Sequence, residues 1–211
     1  MTLSESLIAF TVAAALLAAT PGVDTALVLR LRVTTGLRPA VFGALGVGVG
    51  CLFWGALVAL GLGALLTASA LAFNTVKMAG ALYLLWLGVR LLRRRRDGLA
   101  TGVSEVAAPS PQARQAFLQG LWANVLNPKV GVFYVTLLPQ FVVPGVAAGP
   151  FIFALAAIHV GLSVVWFLLL IWLSRPLQHW LGQARVQRAL DRLTGGIFLL
   201  FGLRLMLAES H

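Results

Sequence analysis

Apolar residues fall into six long blocks separated by short polar joints, covering about 3–31, 39–66, 73–92, 117–141, 150–173 and 193–207. A helix crosses a bilayer with about 20 apolar residues, and lipid accepts only segments whose backbone groups bond within themselves. The pattern predicts an all-α membrane protein with six transmembrane helices. Two blocks carry a proline in their interior. Pro21 stands in Ala19-Thr20-Pro21-Gly22-Val23-Asp24 and Pro128 in Asn124-Val125-Leu126-Asn127-Pro128-Lys129. Proline lacks the N–H that a helix interior needs. Helices one and four are therefore expected to break there, with Pro21, Gly22 and Pro128 as hinges. A break at membrane depth survives only against protein or a water-filled cavity. Matched breaks in two halves of a membrane protein point to a transport site.

Composition agrees. The chain has 211 residues, 60% of them hydrophobic and 10% charged, against about 25% charged in a soluble domain. A formal charge of +10 would suit nucleic acid, but the basic residues lie in joints between apolar blocks, where orientation signals belong. Nucleic-acid binding is excluded on that placement. Arg30, Arg32 and Arg38 follow block one. Arg90, Arg93 to Arg96 and Arg114 surround the third joint, and Arg175, Arg185, Arg188 and Arg192 the fifth. Together these are thirteen of the sixteen basic residues, while joints 67–72 and 142–149 carry none. The positive-inside rule then puts the arginine joints in the cytoplasm and both termini outside. A leader peptide needs a basic stretch ahead of its apolar run. Glu5 stands there instead, so the first block is expected to stay as a span. The lone Cys51 allows neither an internal disulfide nor a cysteine metal cluster, and no cofactor is expected.

The halves also echo one another. Phe10 precedes Pro21 as Phe117 precedes Pro128, an offset of 107 residues. Gly80-Ala81-Leu82-Tyr83-Leu84-Leu85-Trp86 is matched by Gly195-Gly196-Ile197-Phe198-Leu199-Leu200-Phe201 at an offset of 115. Three spans per copy would invert the second copy in the membrane, as in many secondary transporters. The expected organisation is a first three-helix repeat over 1–92, a cytoplasmic basic linker over 93–115 and a second three-helix repeat over 116–211.

Among six acids, Asp24 alone falls within a membrane segment; Glu5, Asp97, Glu105, Asp191 and Glu209 fall at termini, in loops or at a helix end. An intramembrane carboxylate costs a few kcal/mol and marks function by default. Asp24 suits a substrate ammonium or a coupling proton, with capping of the helix restarted after Pro21 as the structural alternative. Asn124, Asn127 and Lys129 offer amides and an ammonium to a carboxylate, helped by the helix end after Pro128. Kink satisfaction and snorkelling are the alternatives. Lys77 enters span three and is weighed in the same way. His159 and Ser163 share one face of span five, but without an orienting acid they make no hydrolase, so no enzyme is expected. His159 is read as a proton relay or a buried hydrogen-bonded residue. Tyr134 and Gln140 are weaker candidates for the site, read first as packing and interfacial, and the tryptophans near span ends are read as interface anchors. Gly46 and Gly50 permit close helix approach, within the protomer or in a homo-oligomer. Counted along the helices, Pro21 lies toward the cytoplasm and Pro128 toward the outside, which argues against one shared ligand.

Thr20-Pro21-Gly22-Val23-Asp24-Thr25 resembles the Ser/Thr-Pro-Gly-Pro-Asp signature of the LysE/RhtB amino-acid exporters. Gly43-Ala44-Leu45-Gly46 through Gly50 and Trp54 resembles that family's second span. Lys77-Met78-Ala79-Gly80 through Gly88 resembles its third, and Phe117-Leu118-Gln119-Gly120 through Asn127-Pro128-Lys129 its fourth. The resemblance covers nearly the whole chain. It implies a small inner-membrane exporter of amino acids or derivatives, exchanging substrate for protons, with roles for Asp24, Asn127, Pro128 and Lys129. Val23 departs from the signature, where a second proline is usual. Two other classes stay open: an exporter of metal ions or small cations, and an uncoupled channel or scramblase-like protein. The scattered Asp24, His159 and Cys51 supply no metal-ligand set.

Overall fold

The computed structural model describes residues 2–68, 70–93, 113–173 and 183–207, and these are helical or in short joints, with no strand among them. The first helix, α1 (Leu3–Ala19), starts at Thr2, whose hydroxyl accepts from the Glu5 amide while the Glu5 carboxylate accepts from the Thr2 amide. That reciprocal cap satisfies two of the donors a helix start leaves free. Pro21 ends the run, and α2 (Val23–Thr34) restarts after Gly22 at a bend of 50°. At the far end of α2 the amides of Thr35 and Gly36 both bond Leu31 O, and Gly36 takes φ 99°, a left-handed stop that favours glycine. Next come α3 (Leu37–Ala68) and α4 (Ala70–Arg93). The fourth apolar block forms α5 (Ala113–Val125), the short α6 (Pro128–Val132), a π-helical turn (Phe133–Leu137) and a 3-10 turn (Leu138–Phe141). The last helices are α7 (Ala148–Trp172) and α8 (Ala184–Leu207).

Every apolar block is thus helical, and the breaks fall at the two prolines. By length and composition, 37–61 of α3 and α7 can each cross a membrane alone, and α1 with α2 passes the same test as a bent pair. Most of the basic linker, 94–112, lies outside the described residues, as do Arg175 and Trp180. Helix α8 starts earlier than the apolar block, carrying Arg185, Arg188, Asp191 and Arg192 as its first turns.

Small residues set the packing. A methyl group at Gly46 would strike the Phe117 carbonyl, and one at Gly120 the Gly43 carbonyl. Gly43, Gly46 and Gly50 meet Ala116, Phe117 and Asn124 in the same order, so α3 and α5 run parallel with backbones nearly touching. Gly46 and Gly50 are therefore covered inside the protomer by α5, the first of the two readings of their spacing. Gly48, Gly55 and Ala59 meet Val160, Ala156 and Gly149, so α3 and α7 run antiparallel. Gly88 lies on Gly195 and Gly202 on Ala81, so α4 and α8 are antiparallel too. Close backbone approach of this kind is how helices associate where no water drives them together.

The main core joins Phe10, Phe133, Tyr134 and Phe141 with Ile152 and Leu155. Phe10 meets Phe141 edge-on at 5.3 Å, a favoured aromatic geometry. A second core gathers Val28, Leu31, Val47, Phe167 and Leu170. Outward faces stay apolar, with Leu60, Leu126 and Leu207 largely exposed, a surface that suits lipid rather than water. Trp86, Trp122 and Trp172 are exposed, as anchors should be, but Trp54 and Trp166 bury unpartnered indole N–H groups. Asp191 is also a correction. It is not a loop or helix-end acid but 1% exposed, buried one turn from Thr194.

Candidate functional site

The break at Pro21 leaves two helix ends facing the interior. The last carbonyls of α1 have no intrahelical partner, and that end carries the negative pole of the helix. Lys129 fills it: its Nζ donates to Thr20 O at 3.1 Å and to Leu17 O at 3.4 Å. Thr20 bonds back to Leu16 O at 2.6 Å and meets the hydroxyl of Thr194 on α8. The first turn of α2 is the positive pole, and Asp24 sits in it.

Asp24 does not cap α2. The N-cap is Gly22, with no side-chain hydrogen bond. The carboxylate instead turns to the other break. Its Oδ2 accepts from Asn124 Nδ2 at 2.9 Å and its Oδ1 accepts from Asn127 Nδ2 at 3.3 Å. Asn127 has two tasks, because it is also the N-cap of α6, where its Oδ1 accepts from the Lys129 amide at 3.1 Å. The capping alternative therefore holds for Asn127 and fails for Asp24. It also means that the helix end after Pro128 is already filled by protein. Asn124 is fully buried, and Gly50 makes the space for it, since a methyl there would press on its amide.

The two breaks thus converge, although counting along the helices set them toward opposite sides. Residues about a hundred positions apart bond directly, and a methyl group at Gly22 would meet Lys129 Nζ at 3.9 Å. Asp24, Asn127 and Lys129 line a cavity of about 40 Å³ together with Thr25, His159 and Ser163. That volume holds about three waters, less than a free amino acid needs.

His159 is buried on α7. Its Nδ1 meets the Tyr134 hydroxyl at 2.8 Å, and its Nε2 has no partner. Ser163, one turn on, is buried beside the same cavity. Cys51 accepts from Asn124 Nδ2 at 3.4 Å and also faces the Tyr134 hydroxyl. Tyr134 is therefore no mere packing residue; it holds His159, and sequence spacing gave no sign of it. Gln140 stays apart, donating to Thr136 O at 2.9 Å. Lys77 lies on α4, but its side chain is outside the described residues. Of the six residues expected to bind substrate or protons, five are gathered here: Asp24, Asn124, Asn127, Lys129 and His159. Thr20 and Thr194 join them from outside the expectation.

The family described as LysE type translocator matches residues 15–209. An uncharacterized membrane protein YrhP of Bacillus subtilis is 31% identical over 95% of this chain and 98% of its own length. A threonine efflux protein of Escherichia coli K12 is 30% identical, covering 90% of this chain and 91% of its own. A homoserine/homoserine lactone efflux protein of Salmonella typhimurium is 29% identical over 92% of each. No solved structure matches.

Proposed function

This chain belongs to the LysE type translocator family, and we propose that it exports small amino acids or close derivatives from the bacterial cytoplasm in exchange for protons. It is a membrane transporter rather than an enzyme. The observation that carries the proposal is the meeting of the two broken helices, with the Asp24 carboxylate held by Asn124 and Asn127 beside the Lys129 ammonium.

A zwitterion needs an anion and a cation at a fixed separation. In the observed state the protein satisfies each with its own groups: amides hold Asp24, and helix-end carbonyls hold Lys129. Substrate would take their place, its ammonium on Asp24 and the freed α1 carbonyls, its carboxylate on Lys129 and the asparagine amides. Hydrogen bonds to charged groups contribute about 1.5–3 kcal/mol each, enough for the exchange to be near balance. Named relatives that export threonine and homoserine favour an amino acid over a metal ion. Because the cavity holds only a few waters, loading requires the breaks to open, with Pro21, Gly22 and Pro128 as the pivots. Asp24 is the acid that lines the cavity among the described residues and the natural carrier of the returning proton.

Packing supports two inverted repeats, 1–92 and 116–211, joined by the cytoplasmic linker 93–115, with six spans and both termini periplasmic. Exchanging spans one and four, two and five, three and six maps neighbours onto neighbours. Contact of α3 with α5 answers contact of α7 with α1. Contact of α4 with the π turn answers contact of α8 with α1. The pairs α3 with α7 and α4 with α8 map onto themselves. Parallel α3 and α5, and antiparallel α4 and α8, are the directions that six alternating spans require.

The test is efflux from proteoliposomes loaded with mixed amino acids, with and without a pH gradient. Export that accelerates when the receiving side is acidic supports the reading. Amino-acid efflux indifferent to the gradient removes the antiport, and retention of every amino acid removes the function.

A further inference from the structure

The two asparagines that hold Asp24 differ in their freedom. Asn127 is pinned at both ends of its amide: Oδ1 accepts from the Lys129 amide as the cap of α6, and Nδ2 donates to Asp24 Oδ1. Asn124 is pinned at one end. Its Nδ2 donates to Asp24 Oδ2 and to Cys51 Sγ, while its buried Oδ1 has no partner among the described residues. That oxygen lies against α3 at Gly50, where a methyl would meet it at 2.7 Å. Inside a helix the backbone N–H groups are spent on the ladder, whereas each carbonyl keeps a second lone pair. A helix wall therefore suits an NH2 group better than a carbonyl oxygen. Asn124 leaves its oxygen unpaired, which is costly, because an ionised carboxylate can only accept and so draws the NH2 to itself.

A proton on Asp24 reverses that demand. Asn127 cannot turn without uncapping α6, so Asp24 Oδ1 must go on accepting. The proton belongs on Oδ2, where it meets the Asn124 NH2 as donor against donor. Half a turn of the Asn124 amide removes the conflict. Its Oδ1 then accepts from Asp24 Oδ2–H and, with its other lone pair, from the Cys51 thiol, and the NH2 moves to the Gly50 wall. The two ends of an amide are nearly equal in size, so one pocket accepts both orientations. The other ionisable groups on this cavity are Cys51 of α3, Lys129 of α6 and His159 of α7. Lys129 donates to the α1 carbonyls, and His159 bonds Tyr134 of the π turn. Glu5 and Arg114 stand at the far ends of α1 and α5. From α8 comes Asp191, one turn from the Thr194 that meets Thr20.

Resting on the proton-exchange reading, we propose that Asn124 is a positioning residue that reads the proton on Asp24, its amide facing the carboxylate with nitrogen and the carboxylic acid with oxygen. Hydrogen bonds to an ionised partner are roughly twice as strong as neutral ones. The Asp24 anion therefore latches α2 to α5, and the proton slackens that latch. An empty, unprotonated carrier stays shut, as exchange requires.

Cys51, the chain's single cysteine, supplies the readout. In the observed state its thiol faces the Tyr134 hydroxyl, a weaker acceptor than an amide carbonyl. Its S–H stretch stands clear of other protein bands in the infrared and falls in frequency as the thiol donates more strongly. The full chain in proteoliposomes is titrated from neutral to acid pH beside D24N. As the carboxylic C=O band missing from D24N grows in, the S–H band should move to lower frequency, and in D24N it should stay fixed. A static S–H band while Asp24 takes its proton overturns the inference. So does an equal shift in D24N, and so does an Asp24 that stays ionised wherever export responds to pH. N124L, close in volume but without hydrogen bonds, should lose the acceleration of efflux by an acidic receiving side. A full response in N124L overturns the inference too, and the spectra of the unmodified protein decide the matter if N124L does not fold. Gradient-driven efflux with a static S–H band leaves the export reading standing. Efflux indifferent to the gradient removes the antiport and, with it, the role given to Asn124.

Discussion

The two proline breaks were built from the same chemistry and solved differently. At Pro128 the chain repairs itself locally: Asn127 caps α6, and a π turn and a 3-10 turn carry the backbone on to Phe141. At Pro21 the repair is partly borrowed. Gly22 offers no side chain; Thr20 bonds back to Leu16 O, but Lys129 from the other break donates to Leu17 O and Thr20 O, and Asn124 and Asn127 hold Asp24 in the first turn of α2. One break is self-sufficient and the other leans on it. On the proposed reading, the fourth span, packed closely on α3 through Gly46 and Gly120, is the firmer side, and more of the opening falls to the Pro21 break than to the Pro128 break.

That contrast yields predictions of decreasing size. Asp24→Asn removes the charge at which the breaks meet. Export should fall about a hundredfold, the loss of one charged hydrogen bond's worth of selectivity, and the pH-gradient response should vanish with little change in thermal midpoint. Gly46→Ala attacks the anchor. Its methyl would meet the Phe117 carbonyl, so stability in detergent should drop by about 1–3 kcal/mol, with α5 shifted and export lost secondarily. Asn127→Ala strips the local cap and one Asp24 donor together. A lower thermal midpoint, equivalent to about 1–2 kcal/mol, should accompany weaker export. If Asn127→Ala is silent in both assays, the claim that the second break is self-sufficient fails. Val23→Pro is the gentlest change. Val23 is the first residue of α2 and largely exposed, a position where proline fits without loss of a bond. Stability should rise by about 0.5–1 kcal/mol and turnover should slow, because the moving break is stiffened.

Much of the fold was legible because lipid leaves few choices. An apolar block of membrane length must be helical, and a proline inside it must interrupt the ladder, so all six blocks and both breaks were read from the chain. Asp24 stood out for the same reason. What escaped were relations that no local pattern encodes. Asp24 and Asn127 lie far apart in sequence, and their bond depends on how α5 descends along α3. Tyr134 looked like packing because a phenol amid phenylalanines carries no mark of the histidine it will hold. Asp191 was misplaced because its turn is rich in arginine and reads as a joint, yet α8 continues through it and buries the acid. The Thr2 and Glu5 cap was readable as a threonine three positions before a glutamate.

Gly88 against Gly195 and Leu199, and Gly202 against Leu85 and Ala81, bring α4 and α8 into close contact, so the two helices are expected to travel as one plank. Its nearest footing on the first span is the hydroxyl pair Thr20 and Thr194. A reversible disulfide installed there, T20C with T194C, should lock the exporter in the state seen here and release it on reduction. Continued cycling of the oxidised protein would mean that the plank stays still while something else swings.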